Sequence, residues 1–130
     1  MHFFISISVR IVKEQDEFRK LILSSKEPLV ALFEASYCPF CVTFRPIVEK
    51  YTQTLRGSLV AVSLDDFENP LWDHYSIEVV PSLIVFFKGK PVFRINGILG
   101  VGLSENDLKR IKSFLESNEL LKMNNSNDPK

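Results

Sequence analysis

The order of apolar segments predicts an α/β protein, a mixed central β-sheet with helices on both faces, in the order β-α-β-α-β-α-β-β-α. Three observations predict it. Strand-like apolar runs alternate with stretches at helical spacing through the first half of the chain. Pro28 to Ala35 is almost continuously apolar, which suits a central strand covered on both sides. Near the end, two apolar runs flank Lys88-Gly89-Lys90, a turn that makes an antiparallel pair.

Each element has its own signal. Phe3 to Val12 alternates and is rich in branched residues, which predicts a strand rather than a signal peptide, since no basic region precedes it and Arg10 interrupts it. Lys13 to Ser25 places Phe18, Leu21 and Ile22 on one face, with charges between them, as an amphipathic helix does. Pro39 to Arg56 carries Phe44, Ile47, Val48, Tyr51 and Leu55 as a helical stripe, with Pro46 inside it as an expected kink. Ser58 to Leu64 is a third strand, ended by Asp65-Asp66, and Pro70 to Ser76 fits a short helix. Pro81 to Lys88 and Pro91 to Ile95 form the terminal strand pair, and Gly97 to Gly102 a glycine-spaced apolar loop. Ser104 caps a last helix running to about Ser117, with acids early and bases later, as the helix dipole prefers. We expect one domain over residues 1–120 and a disordered polar tail over 121–130.

Sixteen basic residues balance sixteen acidic ones, so the chain carries no field that would argue for nucleic acid or an anionic membrane. No segment reaches transmembrane length. The chemistry lies in the only two cysteines, Cys38-Pro39-Phe40-Cys41. Two cysteines cannot form a disulfide scaffold. A closed zinc site wants four ligands, and neither His2 nor His74 stands at zinc-finger spacing from the pair. We therefore expect no metal within one chain, and two chains sharing an ion or cluster is the metal reading left open. Strand, Cys-x-x-Cys, helix is the arrangement of a dithiol redox site.

The combination resembles the thioredoxin family over nearly all of residues 3–118. Tyr37-Cys38-Pro39-Phe40-Cys41 matches the aromatic-Cys-x-x-Cys site after the family's central strand. Pro46 matches its helix-kinking proline, and Val80-Pro81 the dipeptide in which members hold a cis proline beside the disulfide. Lys88-Gly89 matches the hairpin turn and Gly97 the glycine after the last strand. There are departures. The family's buried Asp before the site falls on Leu32, its Lys partner on Val62 or Ser63, and an earlier tryptophan on Glu34. Pro39-Phe40 stands closer to the Pro-Tyr of glutaredoxins than to Gly-Pro, and the loop Ile98 to Gly102 is longer than thioredoxin's. By resemblance, the potential is expected above thioredoxin's, near the roughly −200 to −230 mV of glutaredoxins.

At the start of a helix, unpaired N–H groups and the dipole favour a thiolate, so Cys38 is expected to attack and the more covered Cys41 to resolve. Pro39 suits the first helical position, and Phe40 offers an apolar surface to a substrate chain. With Leu32 at the family's acid position, Glu34 is the nearest proton acceptor, two residues along on the same face. The alternative is a Glu34 pointing at solvent. The resemblance implies a cis Pro81 that leaves the Val80 backbone free to pair with substrate, and Tyr37 as a surface contact. Trp72 is expected in packing and His74 on a solvated helix position.

The activity expected is thiol–disulfide oxidoreduction on protein disulfides, with electrons from a reductase or another dithiol, by a cytoplasmic monomer with no cofactor. Two other readings compete. A glutathione-dependent, glutaredoxin-like enzyme is favoured by Cys-Pro-Phe-Cys but lacks the Gly-Gly–Asp signature. A redox-inactive interaction or folding module is favoured by the absent buried Asp but needs no second thiol.

Overall fold

The structure, a computed structural model, describes residues 9–118. Its elements are β1 (Arg10–Val12), α1 (Gln15–Ser24), β2 (Leu29–Glu34), α2 (Pro39–Lys50), β3 (Ser58–Ser63), α3 (Leu71–His74), β4 (Ser82–Phe87), β5 (Lys90–Ile95) and α4 (Glu105–Ser117). The expected strand from Phe3 is seen only at Arg10–Val12, and its start, like the 121–130 tail, lies outside the described residues.

The five strands lie in the order β1-β3-β2-β4-β5. β1 and β2 run parallel to β3, β4 runs antiparallel to β2, and β5 antiparallel to β4. The mixed sheet follows from connection length: helices carry the parallel crossovers, and a two-residue turn makes the final pair antiparallel. In that turn Lys88 and Gly89 both have positive φ, which matches the right-handed twist of the strands they join.

β2 is buried along its whole length because it is central and covered on both sides. Its side chains alternate between two cores. Leu29, Ala31 and Phe33 face Phe18 and Ile22 of α1 and Leu71 of α3. Val30 and Leu32 face Phe44 and Val48 of α2 and Leu108, Ile111 and Leu115 of α4. In the first core Phe18 meets Phe33, Tyr75 and Phe86 edge-on, with centroids 5.8, 5.8 and 5.3 Å away, the arrangement the ring quadrupole favours. Leu32 and Val62 are both fully buried in apolar surroundings, so neither position that resembles the family's charged pair carries a charge here.

α2 stops at Lys50, six residues before the expected end at Arg56. Tyr51 to Leu55 continues as turns, because the Thr52 and Thr54 hydroxyls donate to the carbonyls of Glu49 and Tyr51 and compete with the helical ladder. Leu55 is still buried, so the apolar stripe that suggested more helix is met by turns. α4 begins with a reciprocal capping box between Ser104 and Asp107.

Candidate active site

The site grows from the end of β2. Three residues, Ala35 to Tyr37, turn the chain into α2, and Cys38 is the N-cap of that helix with extended backbone. The turn is pinned twice. The Cys38 N–H donates to the Ala35 carbonyl at 3.2 Å. The Ser36 N–H and hydroxyl donate to the two carboxylate oxygens of Asp65, at 2.6 and 2.8 Å. In the sequence Asp65 reads only as the end of a strand, yet it anchors the loop that presents the first cysteine.

Pro39 takes the first helical position, where a missing N–H costs nothing. The Cys41 N–H then donates to Cys38 Sγ at 3.2 Å, so a helix-terminal donor is aimed at the first sulfur. The Cys38 thiol lies 3.6 Å from the Val80 carbonyl oxygen, its acceptor. Both cysteines are free thiols. Cys38 retains 8% of its surface and Cys41 only 2%. Burial pushes the Cys41 thiol well above its usual range, and its hydrogen bond with Cys38 adds to that. Cys41 needs a proton acceptor before it can act as a nucleophile at neutral pH.

Glu34 does not point at solvent. It is one of two buried polar or charged residues among those described, because its parity along β2 turns it toward α2, as Val30 and Leu32 are turned. Arg45 Nη1 meets Glu34 Oε2 at 2.6 Å, and Arg45 Nε lies 3.6 Å from Glu49 Oε2. Burial raises the Glu34 carboxyl above its ordinary range, Arg45 pulls it back down, and Asp65 and Glu49 push it up. Glu34, Cys41, Arg45, Glu49 and Asp65 share the lining of a cavity of about 500 Å³. A more polar cleft of about 530 Å³, lined by Lys13, Asp66 and Glu68 among others, touches neither cysteine.

Cys38 opens on the other side into a cavity of about 340 Å³, lined by Tyr37, Phe40, Trp72, Val80 and Leu99 among others. The Val80–Pro81 peptide bond there is cis. Behind it, the Ser82 hydroxyl donates to the Val79 carbonyl at 2.6 Å and accepts from the Gly97 N–H at 3.1 Å. A Cβ on Gly97 would stand 2.1 Å from the Pro81 carbonyl oxygen. The turn from Ile98 to Gly102 is closed by hydrogen bonds both ways between its end residues and holds Leu99 at 83% exposure. Gly102 lies against the Phe40 side chain, close enough that a Cβ would stand 2.8 Å from it. Tyr37, half exposed, tilts against Phe67 at 5.4 Å.

Of the residues singled out in the sequence, Tyr37, Cys38, Pro39, Phe40 and Val80 gather at one cavity, with Pro81 following Val80, and Glu34 and Cys41 at the other. Trp72 also reaches the Cys38 cavity and donates its indole N–H to the Asp66 carbonyl at 3.1 Å. His74 stays outside both and packs edge-on against Tyr75. Arg45, Asp65, Phe67 and Leu99 carried no functional signal in the sequence, and only the loop length hinted at Leu99. Among the described residues, no three His, Cys, Asp or Glu side chains gather as a metal set, and no helix is long and apolar enough to cross a membrane.

A capping cysteine with a second thiol one turn into the same helix, on a five-stranded mixed sheet, defines a thiol–disulfide oxidoreductase. Comparison with known proteins agrees. The chain belongs to the thioredoxin family, whose sequence pattern matches residues 9–112. It is 29% identical to a thioredoxin-like protein of Synechocystis, over 68% of this chain and 85% of that one. It is 32% identical to the chloroplastic thioredoxin Y2 of Arabidopsis thaliana, over 74% of this chain and 59% of the relative. The fold matches that of the Malassezia sympodialis thioredoxin with a TM-score of 0.71 at 21% identity, covering 90% of this chain and 98% of that one.

Proposed function

We propose that the chain reduces or exchanges disulfides in protein substrates, with Cys38 as the nucleophile and Cys41 as the resolving thiol. The observation that carries this reading is the difference between two sulfurs on one helical turn. One accepts a backbone N–H and faces a cavity, and the other is almost completely covered. Cys38 sulfur attacks a substrate disulfide, one substrate sulfur leaves as a thiolate, and a mixed disulfide remains on Cys38. Cys41 loses its proton and attacks Cys38 sulfur. The Cys38–Cys41 bond forms, the second substrate thiolate leaves, and the protein is oxidised by the two electrons the substrate gains. A reductase or another dithiol returns them. The reaction needs one chain.

Tyr37, Pro39, Phe40, Val80 and Pro81 are the substrate contacts in this reading. Their shared cavity and the position of Val80 beside Cys38 support it. Leu99 extends that wall. Burying a leucine completely is worth about 2 kcal/mol, so contact by about a third of it predicts a KM for a protein disulfide about threefold higher in Leu99→Ser. Steady-state insulin reduction measures this, and an unaltered KM removes the turn from the binding surface.

Glu34 is the proton acceptor for Cys41, supported by its burial in the same cavity. Loss of a positioned base costs about a hundredfold at the low end, so Glu34→Gln is expected to slow resolution by about that factor at neutral pH. Rapid mixing with dithiobis(nitrobenzoate) tests the whole scheme, because attack by Cys38 releases one thionitrobenzoate and resolution by Cys41 releases the second. Release of only one thionitrobenzoate per wild-type chain, or a second release unaltered by Glu34→Gln, contradicts the respective assignments.

A further inference from the structure

The Glu34 carboxylate is buried, and a buried acid tends to hold its proton. A group that arrives already protonated cannot take one from Cys41. Something must keep it ionised, and Arg45 is the group in contact with it. Its guanidinium reaches Glu34 at 2.6 Å from one turn beyond Cys41 on the same helix. The surroundings otherwise work against ionisation. Glu49 of α2 and Asp65 after β3 both face the same cavity and disfavour a third negative charge there. Lys13, ahead of α1, is the other cation in the lining, and no ion pair joins it to Glu34 among the described residues. The Arg45 guanidinium lies between two carboxylates. Its Nη1 is engaged by Glu34, while the buried Nε has no hydrogen-bond partner and only the Glu49 carboxylate near it, at 3.6 Å.

We infer that Arg45 is a positioning residue for the redox reaction, holding Glu34 as a carboxylate beside Cys41 so that the resolving thiol has a base at neutral pH. This role rests on Glu34 being that base. During resolution the Cys41 proton passes to Glu34, and the Cys41 sulfur forms its bond to Cys38 as the substrate sulfur departs. The Glu34–Arg45 ion pair becomes a neutral acid beside a cation. When the disulfide is later reduced, Glu34 can return the proton to Cys41.

Without the guanidinium, Glu34 loses the main influence lowering its proton affinity, so it ionises only at higher pH. The pH at which the second thionitrobenzoate phase reaches half its maximal rate is expected to rise by about one unit in Arg45→Met, the low end of what a neighbouring opposite charge contributes. Arg45→Lys keeps the charge and is expected to recover most of that shift. Where the methionine variant folds poorly, Arg45→Gln removes the same charge, and the shift is read from whichever uncharged variant retains native far-ultraviolet dichroism. In a Glu34→Gln background, Arg45→Met is expected to move nothing. An unmoved midpoint in Arg45→Met overturns the inference, as does the same shift in the absence of Glu34. If Glu34→Gln alone leaves the second phase intact, the base assignment falls and the role of Arg45 with it. If Glu34→Gln slows that phase while Arg45→Met leaves its pH midpoint in place, the base survives and Arg45 is dismissed.

Discussion

Cys38→Ser is expected to bring disulfide exchange below detection, while Cys41→Ser stops the reaction half-way, with substrate bound covalently to Cys38. The asymmetry follows from exposure and donor geometry. Cys38 opens into the cavity lined by Tyr37, Phe40 and Val80 and Cys41 does not, so in the proposed scheme Cys41 is not expected to replace it as the attacking sulfur. In Cys41→Ser the first step survives, because the donor aimed at Cys38 sulfur is the backbone N–H of residue 41 and does not depend on its side chain. The second step is lost with the sulfur. Intact mass after incubation with oxidised insulin should show Cys41→Ser carrying one substrate chain and Cys38→Ser carrying none. Adduct on Cys38→Ser would reverse the two roles.

Gly97→Ala is expected to destabilise the fold by about 3 kcal/mol and to depress activity in the fraction that stays folded. The added carbon would stand 2.1 Å from the Pro81 carbonyl oxygen, a contact with backbone rather than with a yielding side chain. Moving either segment away breaks the Gly97 N–H to Ser82 hydroxyl bond, which fixes the backbone behind Val80. Urea denaturation gives the first number and insulin reduction the second. A midpoint within experimental error of the wild type would mean that the two segments separate without cost.

Much of the fold was legible in the residues. β2 could be read as a central strand because its apolar run is unbroken, and the sheet places it between two cores. The parity that makes Val30 and Leu32 face α2 also carried Glu34 inward, but sequence alone could not say whether the strand's end was covered. Its partner was less legible still. Arg45 belongs to a different element, and an arginine on a helix ordinarily reads as a solvated charge. The same is true of Asp65, which is 29 residues from the serine it holds. Such pairs depend on how β2, β3 and α2 are stacked, and no local period encodes that. The end of α2 was misplaced for a different reason: the stripe through Tyr51 and Leu55 satisfies helical spacing, whereas the threonine hydroxyls that end the helix act through the backbone.

The ring cluster around Phe18 lies on the opposite side of the sheet from α2 and its two sulfurs. Val80 and Trp72 nevertheless pack against this cluster while lining the Cys38 cavity, so repacking Phe18, Phe33 or Phe86 for heat tolerance is also felt at the wall a substrate would meet. Durability and reactivity are therefore joined through those two side chains rather than separated by the sheet.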